Sequence, residues 1–237
     1  MEYTECEIPP SSAPIRQGDI LFYRDTRDEN PWQRLNLILT ADCDLAWGKS
    51  GSFLSIAPIL TVEDYIFEVW APKRLQKITD ANTKEAVEFF QTVHNRFNPS
   101  ATPLSETAVG NWLQRDDIND ICAALQITSH EEVQKISLIH QVHNLALGSL
   151  RGETIRQSPL LTLGKIGALK SGKPKETEIG IFMSQASGDL RALPQDVFFL
   201  SEIPAVSGYG FLVMLRYIRS IHKDKITGSL HAARDST

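Results

Sequence analysis

The rhythm of apolar positions changes twice along the chain. Up to about residue 64 it is strand-like: short apolar runs at 20–23, 35–39 and 52–57 are separated by polar, turn-rich stretches. Gln17-Gly18-Asp19 opens the first run, Asn30-Pro31 ends the loop after it, and Pro58 is expected to end the third. From about 65 to 150 the spacing turns helical. Asn82 is placed to cap a helix over 83–96, where Ala86, Phe89, Phe90 and Val93 recur at helical intervals. Two short helices are predicted over 105–114 and 117–125. Ser129-His-Glu-Glu132 reads as a capping box opening a longer helix to about Leu147, with Gly148 as its stop. After Gly152 short apolar runs return at 160–163, 179–183, 197–200 and 211–218, and these predict strands.

This pattern predicts an α+β protein, with a small β-barrel built from 15–64 and 151–225 and interrupted by a helical insertion over 65–150. Residues 1–14, with Pro9, Pro10 and Pro14, are expected to form a flexible leader, and 226–237 a flexible tail.

Composition adds limits. A hydrophobic share of 42% and a charged share of 22% fit a folded chain with a full core. The net charge of −5 speaks against a broad basic face for gripping duplex nucleic acid. That charge is uneven: residues 1–64 carry five basic and eleven acidic side chains, whereas 151–175 carry Arg151, Arg156, Lys165, Lys170, Lys173 and Lys175 against Glu153 alone. The later segment is either a solvated surface or a seat for an anionic partner. The acidic N-terminal stretch lacks the apolar core of a signal peptide, and no apolar run approaches a membrane span, so a cytoplasmic protein is expected.

Candidate chemistry is sparse. Cys6, Cys43 and Cys122 form no close pair, which disfavours a disulfide framework or a cysteine-rich zinc site. Asp42-Cys43-Asp44 is the densest reactive cluster. Its carboxylates could take a metal or a partner's basic group, but they would raise the thiol's pKa and oppose a thiolate nucleophile. The plainer reading is an Asx-rich turn over a buried Cys43. His140 and His143 are spaced to share a metal or, more commonly, to cover a core edge. Trp32 and Trp47 flank the run at 35–39 and offer rings on which bases could stack. Arg216 could complete a phosphate groove with Arg34, while Arg219 would face the other way on a regular strand. Asp42, Asp44, Trp32, Trp47 and Arg216 are thus the candidate ligand- or partner-binding residues. No Walker loop, Rossmann fingerprint, GxSxG or HExxH is present.

Gly18-Asp19-Ile20 opening a strand, Arg34 directly before the run at 35–39, and Ala57-Pro58 late in the next run together resemble the MazF/PemK family of toxin endoribonucleases. The resemblance covers residues 17–61 and implies a small SH3-like barrel, with later strands at 197–200 and 211–219 closing it. It further implies that Arg34 stabilises charge developing on an RNA phosphate, while a nearby Thr or Ser assists attack by the 2′-hydroxyl. The family's Thr/Ser position falls on or beside Leu60, and Thr61 comes one residue later, a slip that turns a strand side chain to the opposite face. Leu35 stands where the family usually has proline, and the helical block has no counterpart in the compact toxins.

Two functions are expected from this. One is a subunit of a bacterial toxin or antiphage conflict system that binds or regulates a protein partner through its helical insertion. The other is a metal-independent endoribonuclease acting on single-stranded RNA, with Arg34 and Thr61 as catalytic residues. Neither calls for a cofactor or a metal.

Overall fold

The computed structural model describes residues 13–23, 30–98, 100, 102–151, 159–204, 206–208 and 210–226. Cys6, Glu153, Arg156, residues 1–12 of the expected leader and 227–237 of the expected tail lie outside them. The chain divides into a sheet unit, Met1–Tyr65 with Leu190–Thr237, and a helical unit, Ile66–Asp189.

The sheet unit contains β1 (Ile20–Phe22), β2 (Leu35–Ile38), β3 (Phe53–Thr61), β4 (Val197–Leu200), β5 (Phe211–Met214) and β6 (Arg219–His222). Three short helices connect its first half: α1 (Pro31–Arg34), α2 (Asp42–Ala46) and α3 (Val62–Tyr65). The class is α+β, as expected, but the strands described form an open antiparallel sheet and not the closed barrel expected, in the order β1-β2-β3-β5-β4, with β6 also paired to β3.

The long strand β3 passes through Pro58, where the sequence pattern predicted an end. The register explains the tolerance. The Ser55 carbonyl faces β2, accepting from Leu39 N, so the backbone groups of even-numbered residues face the opposite edge. On that edge β6 pairs with Phe53 to Ile56 and β5 with Ile59 to Thr61. Pro58 therefore points its nitrogen at the break between β5 and β6, where no ladder bond is lost. Residues 215–217 fill that break as a 3₁₀ turn, which is why the run at 211–218 is two strands and not one.

Side chains of β3 alternate between two apolar clusters. Ala57 and Ile59 pack with Leu35, Ile203, Phe211 and Val213, while Leu54 and Ile56 pack with Ile38. Burial on both faces accounts for the near-continuous apolar stretch from Ile56 to Leu60.

The helical unit opens with a π-helical turn, Ile66–Trp70, and continues as α4 (Ala71–Phe97), α5 (Glu106–Arg115), α6 (Ile118–Ala124), α7 (His130–Leu150), α8 (Pro159–Ser171) and α9 (Lys175–Asp189). Phe90 lies at the centre of its core, with Leu113, Ile121, Ile136 and Ile139 fully or almost fully buried around it. Trp112 meets Phe90 edge-on with ring centroids 5.5 Å apart. The Trp70 indole N–H donates to Asp189 Oδ2 at 2.8 Å, tying the first turn of this unit to its last residue. Among the described residues no helix is long and apolar enough to cross a membrane.

Several predicted boundaries move. Asn82 caps nothing: α4 begins at Ala71, and the buried Asn82 amide instead donates to the Ile139 carbonyl of α7 at 2.9 Å. Ser129 occupies the N-cap of α7 without a side-chain cap bond, and Gly148 keeps φ below zero, so the helix runs on to Leu150. The runs at 160–163 and 179–183 are helical and not strands; apolar runs of four or five residues do not distinguish a buried helix from a strand. Two glycines make this helix pair possible. A Cβ at Gly164 would come within 2.5 Å of Ile179 Cγ1, and one at Gly167 within 2.9 Å of Glu178 Cβ.

Candidate functional site

The short helix α1 exists because Asn30 Oδ1 accepts the Trp32 N–H at 3.0 Å and Pro31 supplies a preset φ at the first helical position. It ends at once as Leu35 turns extended and enters β2. Arg34 is thereby held where helix becomes strand, with its side chain 49% exposed. Its Nη1 lies 3.6 Å from Asp64 Oδ2.

Thr61 stands at the end of β3, where the chain turns into α3 and strand alternation stops governing direction. Leu60 is wholly buried, whereas the Thr61 hydroxyl accepts from Asp64 N at 3.0 Å and donates to Asp64 Oδ2 at 2.7 Å. Asp64 thus brings Arg34 and Thr61 together on one carboxylate oxygen. Asp64 was not among the residues singled out in the sequence. Its signal was the spacing Thr61-x-x-Asp64, a Thr followed three residues on by an acid at a helix start.

On α1, two residues before Arg34, the Trp32 ring meets Tyr217, with centroids 4.8 Å apart and planes tilted by 59°. Arg219 fixes the arrangement from behind: its Nη2 donates to the Trp32 carbonyl at 3.0 Å and to Asn36 Oδ1 at 2.8 Å. Asn36 is buried, so this is a positioning contact, and it follows from the 3₁₀ turn that resets the face of Arg219. Arg216, on that turn, is paired with Asp196 Oδ2 at 2.7 Å and is largely exposed.

The remaining candidates lie apart from this cluster. Asp42, Cys43 and Asp44 form the first turn of α2, a helix where a turn was predicted. Asp42 Oδ1 accepts the Gln17 N–H at 2.7 Å. Cys43 is exposed, not buried, with its sulfur 3.9 Å from Asp44 Oδ1. Trp47 is 77% exposed just after α2. His140 Nε2 sits 3.1 Å from the Asp116 carbonyl. The His143 ring is buried with neither nitrogen hydrogen-bonded. Desolvation pushes the His143 pKa down; the Gly110 backbone, near but outside hydrogen-bond geometry, offsets this in part, and the charges of His140 and Arg151 add to the lowering. Among the described residues no three His, Cys, Asp or Glu side chains gather as a metal group.

The helical unit offers a second candidate surface. Leu161 and Leu169 of α8 and Ile181 and Met183 of α9 are all exposed, although the same helices bury Leu163, Ile166, Phe182 and Ala186. Apolar residues on more than one side of a helix point to more burial than the unit itself provides. Comparison of the chain with protein-family models, curated proteins and solved structures gives no match.

Proposed function

We propose that this protein is a MazF-like member of a bacterial toxin or antiphage conflict system, acting mainly as a binding or regulatory subunit through its helical unit. The observation that carries this reading is the α8–α9 hairpin, whose exposed Leu161, Leu169, Ile181 and Met183 lie in a lysine-rich segment. Such a surface is suited to a protein partner with apolar and acidic groups. Two features favour the SH3-like ancestry of the sheet unit: the hairpin of β2 and β3 led by Arg34, and the double pairing of β3 with β5 and β6. The test is reconstitution. A partner identified from the native host should form a complex of fixed stoichiometry with the pure protein, and L161E/I181E should abolish it. A protein that stays alone under those conditions removes the reading.

A second reading is cleavage of single-stranded RNA, favoured by the meeting of Arg34 and Thr61 on Asp64 beside the Trp32–Tyr217 pair. Arg34 is half exposed and its contact with Asp64 is a long one at 3.6 Å, so a phosphate can take the place of Asp64 at the guanidinium. The 2′-hydroxyl would then lose its proton to solvent and attack the adjacent 3′-phosphate, forming a 2′,3′-cyclic phosphate as the P–O5′ bond breaks and the 5′-oxygen leaves as a protonated hydroxyl; Arg34 would offset the charge on the phosphoryl oxygens and aromatic faces would hold neighbouring bases. Mixed single-stranded RNA should be cut by the wild type and spared by R34A. Equal cutting by both, or none by either, removes cleavage from consideration.

A further inference from the structure

We propose that the groove between α7 and α8 receives an acidic amphipathic helix of a partner protein; this rests on the reading of the helical unit as a docking surface. Gln141 and Leu145 lie four residues apart on α7, and Lys165, Ala168 and Leu169 follow one stripe of α8. With Lys175 at the start of α9 they line an open groove of about 470 Å³. Leu161, one turn before Lys165, extends the same stripe and is exposed. Its apolar lining, here called the floor, is aliphatic (Leu145, Ala168 and Leu169), and Lys165 and Lys175 supply its cationic lining, here called the rim.

The choice of occupant follows from floor and rim together. An aliphatic floor is filled by side chains recurring at i, i+3 and i+4, the spacing of a helix laid in a groove. The rim selects charge. Lys170 and Lys173 are exposed beside Lys175, and of the two carboxylates in the first turn of α9 only Glu176 is free to face solvent. Glu178 is buried and accepts from the Ser171 hydroxyl at 2.7 Å. The Lys175–Glu176 contact, 3.6 Å between exposed groups, is readily exchanged for an incoming carboxylate. Single-stranded RNA would satisfy the lysines but not the floor, since no aromatic ring lines the groove for bases to stack on.

The experiment is fluorescence anisotropy on the full chain. The probe is a labelled designed helix of Leu, Ala and Glu with leucines along one face and glutamates flanking them; its twin carries Lys in place of Glu. The acidic helix should bind and weaken as salt rises, and the basic twin should not bind. L169E and K175E should each weaken binding about tenfold or more, the loss of one good contact. F97E, at an exposed residue of α4 that is neither in the groove nor on the α8–α9 surface, should leave affinity unchanged. No binding, equal binding of both probes, or equal loss in L169E and F97E would overturn the inference. So would labelled single-stranded RNA that binds in place of the acidic helix and is released by K175E. If the probe fails while the native partner still assembles with L169E, the groove is wrong and the docking reading survives. If the probe binds but no partner assembles, the docking reading is the one that falls.

Discussion

The Thr61 hydroxyl donates to the Asp64 oxygen that also faces Arg34, so one carboxylate holds the strand end and the cation together. Phosphate and Asp64 then compete for the same guanidinium. D64N keeps a hydrogen-bonding group beside Thr61 but removes the competing charge. Its affinity for labelled single-stranded RNA should rise several-fold at low salt, and the gain should shrink as salt screens the site. Unchanged affinity across the salt series would show that Arg34 does not meet phosphate.

Arg219 is expected to matter more to the fold than either Arg34 or Arg216. R219A leaves the buried Asn36 Oδ1 without its donor, a loss of about 1–3 kcal/mol. It also releases the Trp32 carbonyl. Chemical denaturation should report the loss, and R219K should recover only part of it, because one ammonium lacks the geometry of a planar fork. R216A, at an exposed pair, should leave the denaturation midpoint nearly in place.

Arg34, Thr61 and Trp32 of this cluster were named from the sequence, and the rest was not, for physical reasons. Arg34 and Thr61 were singled out through the short motifs that resemble the MazF/PemK family. Asp64 and Arg219 act through contacts formed by a helix cap and a 3₁₀ turn, and strand periodicity says nothing about either. The helices α8 and α9 were read as strands because Leu160 to Leu163 and Ile179 to Met183 are too short to reveal a period. What packs them together is the close fit of Gly164 and Gly167 against α9, a relation between segments that neither segment displays by itself.

That fit separates two glycine substitutions. G167A would push a methyl group to within 2.9 Å of Glu178 Cβ and should cost about 1–3 kcal/mol through overpacking. G180A, on the exposed side of α9 with nothing within 4 Å of its Cβ, should instead stabilise by up to about 1 kcal/mol, the helix propensity of Ala over Gly. Thermal unfolding followed by circular dichroism should move in opposite directions for the two.

His143 gives the helical unit an acid-sensitive point. Burial lowers its folded pKa below the ordinary value near 6.5, so the fold keeps the ring neutral while an unfolded chain takes up the proton. Stability from this group is complete above that unfolded value and declines as pH falls below it. The limiting slope for one proton is about 1.4 kcal/mol per pH unit. Denaturation midpoints measured from pH 8 to 5 should fall more steeply for the wild type than for H143F. Parallel curves would mean that His143 protonates as readily in the fold as in the unfolded chain.

The bond between Trp70 and Asp189 bears on how this chain can be taken apart. It places the entrance and the exit of the helical unit side by side, the arrangement of a piece spliced into one loop of a host. Such a piece is portable. Joining Tyr65 to Leu190 by a short linker should leave a sheet that still assembles from its two halves, and the excised helices, with their ends already neighbours, could be set into another scaffold or reopened at a different loop.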